Sequence, residues 1–245
     1  MLEIQEVSKN FGGLRALDHI NLTVQKGDLN SIIGPNGAGK TTLFHVISGY
    51  HPVDEGKIIF GGEDITNKPA WAICRKGICR SFQVIDIFPK LSVFRNVQIA
   101  VLSRKRQTLN MFASSESMAE EEVEELLTEV GLAEQANDVS GSMSQGDQKR
   151  LEIAIAMANR PKLLLLDEPT AGMSPVERVS TVDLIEKLTR ERGLTTLFTE
   201  HDMDVVFGIS GRITVMHFGK IVAEGTPQEI RENELVRKVY LGEAT

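Results

Sequence analysis

The chain has 245 residues, 41% of them hydrophobic, and a formal net charge of −7. This suits one large α/β domain, or one domain carrying a smaller lobe, and the acidic balance argues against a nucleic-acid surface. No apolar run approaches the ~18 residues of a membrane-spanning helix, and Cys74 and Cys79 lack the further His or Cys of a zinc set and imply no disulfide, which fits a reducing cytoplasm.

The opening M-L-E-I-Q-E-V reads as a strand rather than a signal peptide. Leu2, Ile4 and Val7 predict a strand ending near Lys9-Asn10, Phe11-Gly12-Gly13 a turn, and Leu17, Ile20, Leu22 and Val24 a second strand. Together these strands suggest an antiparallel β lobe on the N-terminal side. Phe11 admits two readings: a flat π-face that stacks on a nucleotide base, or a plug of the core.

Leu29 to Ile33 predict a strand in which Asn30 needs a partner, either near an edge or on a neighbouring residue. The strand runs into G-P-N-G-A-G-K-T-T, where Gly34, Gly39, Lys40 and Thr41 satisfy the phosphate-loop pattern G-x-x-x-x-G-K-[ST]. Glycines let successive N–H groups turn inward around an anion, and the helix that follows points its positive end at the same place. Lys40 can reach the β- and γ-phosphates, and the Thr41 hydroxyl is placed to ligate Mg²⁺. The loop implies a nucleoside triphosphate held by Gly34, Asn36, Gly37, Ala38, Gly39, Lys40, Thr41 and Thr42.

Beyond the loop, Pro52 to Gly56 predict a turn, Lys57 to Phe60 a strand, Pro69 to Lys76 a short helix ended by Gly77, and Ile78 to Phe82 a strand leading to Gln83. After Gln83 the composition changes. Leu91 to Leu102 predict a helix, Ser103 to Ser117 a polar loop, and Met118 to Val130 an acidic helix with Val123, Leu126, Leu127 and Val130 on one face. Residues 84–158 therefore read as a mostly helical lobe inserted into a nucleotide-binding core of residues 1–83 and 159–245. Val84, Ile85, Ile87 and Phe88, with Pro89 preventing one continuous helix, read either as lobe core or as an apolar groove for a partner's helix.

Ser144 and Gly146 open a helix and are read either as a second anion site or as an ordinary N-cap. Four leucines, Leu163 to Leu166, form a strand buried on both faces whose end delivers Asp167 and Glu168. Asp167 can hold Mg²⁺, and Glu168 can polarise an attacking water. Strand and helix then alternate through Pro175 to Arg192, Thr195 to Thr199 and Asp202 to Gly208, and Arg212 to His217 with Lys220 to Glu224 form a hairpin at Phe218-Gly219. The expected fold is α/β: a P-loop NTPase core with a mainly parallel sheet, the antiparallel β lobe and the inserted helical lobe.

The phosphate loop, Gln83 in S-F-Q, M-S-Q-G-D, L-L-L-L-D-E-P-T and His201 in T-E-H-D occur in the order that marks ATP-binding cassette (ABC) transporter ATPase subunits, which this chain resembles over essentially its whole length. The resemblance implies that Phe11 stacks on adenine, Gln83 senses Mg²⁺ and the attacking water, Glu168 is the catalytic base and His201 contacts the γ-phosphate. It also implies that Ser144 and Gly146 contact the nucleotide of a second ATPase subunit, itself or a paralogue, in a head-to-tail dimer. Two departures stand out: the usual L-S-G-G-Q is M-S-Q-G-D, with Met143, Gln145 and Asp147 substituted, and the usual S-A-L-D is Ala171-Gly172-Met173-Ser174.

S-F-Q-V-I-D-I-F-P-K-L-S-V-F-R-N-V with D-E-P-T-A-G-M-S-P is most similar to ATPase subunits of branched-chain amino acid importers. The implied partners are transmembrane permease subunits and, indirectly, a solute-binding protein, with the chain peripheral on the cytoplasmic side of the plasma membrane. Subunits for urea or lipopolysaccharide export share parts of this wording. Soluble ABC ATPases of ribosomes or DNA usually carry two cassettes, a long coiled coil or basic extensions. A GTPase usually has an N-K-x-D-like element, which is not found here.

Overall fold

A computed structural model describes residues 1–81, 87–105 and 119–237. The chain opens with β1 (Leu2–Phe11) and β2 (Leu14–Val24), paired antiparallel from Leu2↔Val24 to Phe11↔Leu14. Alternation buries Leu2 and Ile4, and an irregularity at Glu6 (φ 51°) resets the phase so that Val7 also points inward. β3 (Leu29–Ile33) precedes the phosphate loop, and α1 (Lys40–Ile47) follows it. β4 (Glu55–Phe60) starts two residues earlier than the apolar pattern suggests, because Glu55 pairs with Ser8, and the short β5 (Glu63–Asp64) had no pattern to reveal it. α2 (Ala70–Lys76) ends at Gly77 in the left-handed conformation (φ 106°) and turns into β6 (Ile78–Ser81).

α3 (Val93–Lys105) starts where the Ser92 hydroxyl accepts the Arg95 N–H at 3.2 Å, later than Leu91, and carries on through Ser103. The rest of the expected polar loop, and Phe82 to Asp86 including Gln83, lie outside the described residues. α4 (Glu120–Glu129) and α5 (Gln145–Ala158) complete the helical region. β7 (Leu163–Asp167), α6 (Pro175–Arg192), β8 (Thr195–Thr199), α7 (Met203–Ile209), β9 (Arg212–His217), β10 (Lys220–Gly225), α8 (Pro227–Glu232) and α9 (Glu234–Val236) follow.

One antiparallel sheet has the order β2-β1-β4-β5, and a six-stranded sheet has the order β10-β9-β3-β8-β7-β6. Within the larger sheet every neighbouring pair is parallel except β9 with β10. Period-two alternation divides β7 and β8 between two cores. Leu163, Leu165 and Leu197 join α1 and the antiparallel sheet, while Leu164, Leu166 and Phe198 join the helical side. That second core also contains Val97 of α3, Leu127 of α4 and Leu151 of α5, so the helical lobe shares its interior with the sheet. Asn30 sits in a central strand rather than at an edge, and its amide donates to Asp28 at 3.2 Å. The adjacent strands β3, β8, β7 and β6 release the phosphate loop, the His201 segment, Asp167-Glu168 and the chain toward Gln83 from their C-terminal ends, where ligands of open α/β sheets bind.

Candidate active site

The phosphate loop is wedged between β2 and β9. A Cβ on Gly34 (φ 154°) would lie 2.2 Å from the Met216 carbonyl oxygen, and one on Gly39 (φ 104°) would lie 2.6 Å from that of Ala16. Both positions therefore exclude a side chain by backbone contact. The Gly219 N–H donates to Ala38 O at 3.0 Å, tying the β9–β10 hairpin to the loop. Lys40 is buried, and its Nζ donates to Gly34 O at 2.7 Å and Pro35 O at 3.2 Å. Burial lowers its ammonium pKa, opposed by the charges of Glu168 and Asp167.

At the end of β7, both carboxylate oxygens of Asp167 are held. Oδ2 accepts from Arg80 Nη2 at 2.8 Å and Oδ1 from the Thr199 hydroxyl at 2.7 Å. The ion pair is dry, with side-chain exposures of 4% for Arg80 and 1% for Asp167, so each charge needs the other. Glu168 takes the left-handed conformation (φ 49°), its N–H donating to Thr199 O and Oγ1, each at 3.1 Å. This sparsely populated backbone state for a non-glycine residue turns the side chain sideways, where Oε1 meets His201 Nε2 at 2.9 Å. Behind them Glu200 is buried, which raises its carboxyl pKa, and it accepts the His201 N–H at 3.3 Å.

A cavity of about 360 Å³ is lined by Phe11, Asn36 through Thr42, and Glu168. The structure thus brings together the loop, the proposed base and the N-terminal aromatic. Phe11 is 42% exposed, so it is not a core plug; its ring meets His51 edge-on and the Lys9 ammonium at 5.4 Å. Arg15 and Phe218 line the same cavity and were missed in the sequence. Phe218 gave one signal: it shares a two-residue hairpin turn with Gly219, both at positive φ (45° and 76°), a conformation that favours Asn or Gly over a bulky side chain. Arg80 gave another, a cation inside the apolar strand Ile78–Ser81, which demands a buried carboxylate.

Ser144 and Gly146 do not line this cavity. Ser144 caps α5, its hydroxyl accepting the Asp147 N–H and donating to the carboxylate of the substituted Asp147, each at 3.2 Å. Gly146 packs on the first turn of α6, where a Cβ would lie 2.9 Å from Glu177 Oε1. Gln145 reaches the Ala171-Gly172 loop, its Oε1 within 2.5 Å of where a Gly172 Cβ would be. Ser174, standing where the family has aspartate, forms a capping box with Glu177. Ser174 is the largest cause holding the Glu177 carboxyl down at about 2, and Ser144 and Gly146 contribute to the same shift. Phe88 is 55% exposed and is not core; its backbone is fixed by Asn96, whose Oδ1 accepts the Phe88 N–H at 2.8 Å, and by the Ser140 hydroxyl, which donates to Phe88 O at 2.9 Å.

A phosphate loop, a carboxylate pair ending the neighbouring strand, and a histidine touching the second carboxylate define an ATP-hydrolysing cassette. Residues 17–171 match the ABC transporter family and residues 220–245 match the branched-chain amino acid ATP-binding cassette transporter family. The chain belongs to the ABC transporter family as an ATP-binding, ATP-hydrolysing subunit. It is 41% identical to the high-affinity branched-chain amino acid transport ATP-binding protein BraF of Pseudomonas aeruginosa, over 100% of this chain and 98% of that protein. It is 37% identical to Escherichia coli LivG, of the same description (100% and 98% covered), and 37% identical to the E. coli lipopolysaccharide export system ATP-binding protein LptB (99% and 97% covered). Its fold superposes on the ADP conformation of MJ1267, an ATP-binding cassette of an ABC transporter, with TM-score 0.86 and 32% identity over 99% of both chains. A dimeric, post-hydrolysis cassette bound to ADP and Pi, MJ0796, gives TM-score 0.78 and 27% identity over 93% of this chain and 99% of that one.

Proposed function

We propose that this chain powers import of branched-chain or closely related amino acids through separate permease subunits, working from the cytoplasmic face of the membrane as half of an ATPase dimer. The observation that carries the chemistry is the contact of His201 with Glu168, which lines the phosphate-loop cavity. Among the described residues no helix is long and apolar enough to cross a membrane, which fits a subunit that borrows its membrane path. The match of residues 220–245 favours the amino-acid reading over lipid export, despite the equal identities of LivG and LptB.

In this reading Phe11 stacks on adenine, and the N–H groups of Gly37 to Thr42 receive the phosphates. Lys40 leaves the Gly34 and Pro35 carbonyls for the β- and γ-phosphate oxygens. Glu168 takes the proton of the water that attacks the γ-phosphorus in line, and the P–O bond to ADP breaks. His201 fixes the Glu168 carboxylate and contacts the γ-phosphate, with Gln83 completing the surroundings of the water. The Thr41 hydroxyl and the Asp167 carboxylate are hard oxygen donors, the type Mg²⁺ prefers, and among the described residues no protein cluster forms a metal cage by itself. With both its oxygens held by Arg80 and Thr199, Asp167 would hold the ion through water while Thr41 would ligate it directly, and the ion would neutralise charge building on the phosphate oxygens. Gln83 would add a third oxygen donor from its side chain.

Ser144 and Gly146 serve the partner subunit's nucleotide. Residues 84–158 form the lobe that carries them, and residues 1–83 and 159–245 form the core. The exposed Phe88 is the anchor for the permease. The test is reconstitution of the chain with its permease subunits and a solute-binding protein in vesicles. ATP-dependent uptake of labelled leucine, isoleucine or valine, lost in Glu168→Gln, supports the proposal. ATP hydrolysis stimulated by those partners without uptake of any of these amino acids contradicts the solute assignment.

A further inference from the structure

The two cysteines, which as sequence suggested nothing, lie side by side. α2 ends at Gly77, and the chain reverses there into β6, so Cys74 on the last turn of the helix faces Cys79 on the strand with 3.7 Å between sulfurs. They are not equivalent. Cys79 is buried and Cys74 only half-buried. Both border a cavity of about 210 Å³ between α2, β6 and α5, also lined by Ser48, Tyr50 and Asn159, which is ample for a small oxidant.

We propose that Cys74 and Cys79 form a redox-active dithiol that hydroperoxides convert reversibly to a disulfide, with Cys74 the attacking and Cys79 the resolving sulfur. The Cys74 thiolate attacks one peroxide oxygen; the O–O bond breaks, alkoxide or hydroxide leaves, and Cys74 becomes a sulfenic acid. The Cys79 sulfur then attacks the Cys74 sulfur; the S–O bond breaks, and the departing hydroxide leaves as water with the Cys79 proton. The two sulfurs together lose two electrons and the peroxide gains them. Protonation favours this division of labour. Accepting the Cys79 S–H lowers Cys74 to about 7, aided by the Arg75 charge, while donating that hydrogen bond and burial keep Cys79 protonated. The sulfurs must approach to about 2 Å, which draws the end of α2 and β6 together. β6 also carries Arg80, the residue holding Asp167, so the bond acts on the strand supporting the ATPase site.

The experiment titrates the whole purified, reduced protein with hydrogen peroxide and reads intact mass and peptide maps. The wild type should lose the mass of a hydrogen pair, show a Cys74–Cys79 cross-link, and recover with dithiothreitol. Cys79→Ser should instead trap sulfenic acid at Cys74, detected as a dimedone adduct. Cys74→Ser should oxidise about tenfold more slowly, because the lowered-pKa thiolate is gone. ATP hydrolysis should fall in step with cross-linking in the wild type, return on reduction, and persist in Cys79→Ser at the doses that cross-link the wild type. A wild type that only gains oxygen, only cross-links between molecules, or oxidises no faster than Cys74→Ser overturns the dithiol. Cross-linking with unchanged turnover overturns its coupling to the site. The Cys74–Cys79 cross-link, its reversal and the accompanying turnover are read on the wild type itself, so they stay decisive if a variant fails to fold.

Discussion

α1 and α5 both begin at short Gly-containing stretches, yet the fold finishes the two ends differently. At α1, Lys40 is folded onto the loop's own carbonyls, and Glu168 lines the same cavity. At α5, Ser144 is spent on its own helix cap, and Glu177 of α6 presses its carboxylate against Gly146. The first end gathers the phosphate loop and Glu168 around one cavity within one chain. The second is a braced helix start that does not line that cavity. In the proposed dimer the first end is one half of the composite site and the second is the complementary half, offered to the partner subunit.

The largest expected effect comes from silencing chemistry at the α1 end alone. Glu168→Gln keeps shape and the hydrogen bond to His201 but cannot accept a proton, so turnover should fall ~10²–10⁴-fold while equilibrium ATP binding persists. Near-normal turnover would remove Glu168 as the base. Next is the lobe that carries α5. Phe88→Glu should leave folding and ATP binding intact but weaken co-purification with the permease by roughly thirtyfold, the effect of losing an anchor of ~2 kcal/mol. A variant that folds and still assembles normally would show that the permease docks elsewhere.

Smaller effects should follow from the brace. Ser174→Ala removes the α6 cap and should cost about 1 kcal/mol in denaturant unfolding. The same brace predicts an acid signature. The Glu177 carboxyl is depressed from 4.5 to about 2, so its contribution is fully present above its unfolded value and is lost as pH falls through that window. Glu177→Gln should therefore flatten the stability profile between these two pH values, and an unchanged profile would show that the carboxylate contributes nothing there.

How much of this was legible in the sequence varied with the range of the interaction. The loop, Asp167-Glu168 and nearly every strand were readable because each is a local pattern: glycines before a helix, or four leucines ending in acids. Arg80, Thr199 and Phe218 were not, since their roles depend on β6, β7 and β8 lying adjacent and on the hairpin bonding to the loop. A local oddity such as the cation in β6 says that a partner is needed, but not which distant residue supplies it. Phe11 was ambiguous for the same reason, and its exposure removes the reading as a core plug. The purpose of Gln145, Asp147 and Ser174 also appeared only in space, where they brace and cap α5 and α6.

The central claim is that Ser144 and Gly146 belong to the partner subunit's nucleotide. Sedimentation of the Glu168→Gln protein with ATP, with and without a second change, Ser144→Arg, tests this most directly. Both proteins should bind ATP equally well through their own phosphate loops. The single variant should sediment as a dimer, and the double variant should remain a monomer at the same nucleotide occupancy. A double variant that dimerises as readily as the single one, or that loses ATP binding as a monomer, would contradict the claim and place the Ser144 end of α5 outside the composite site or within its own subunit's.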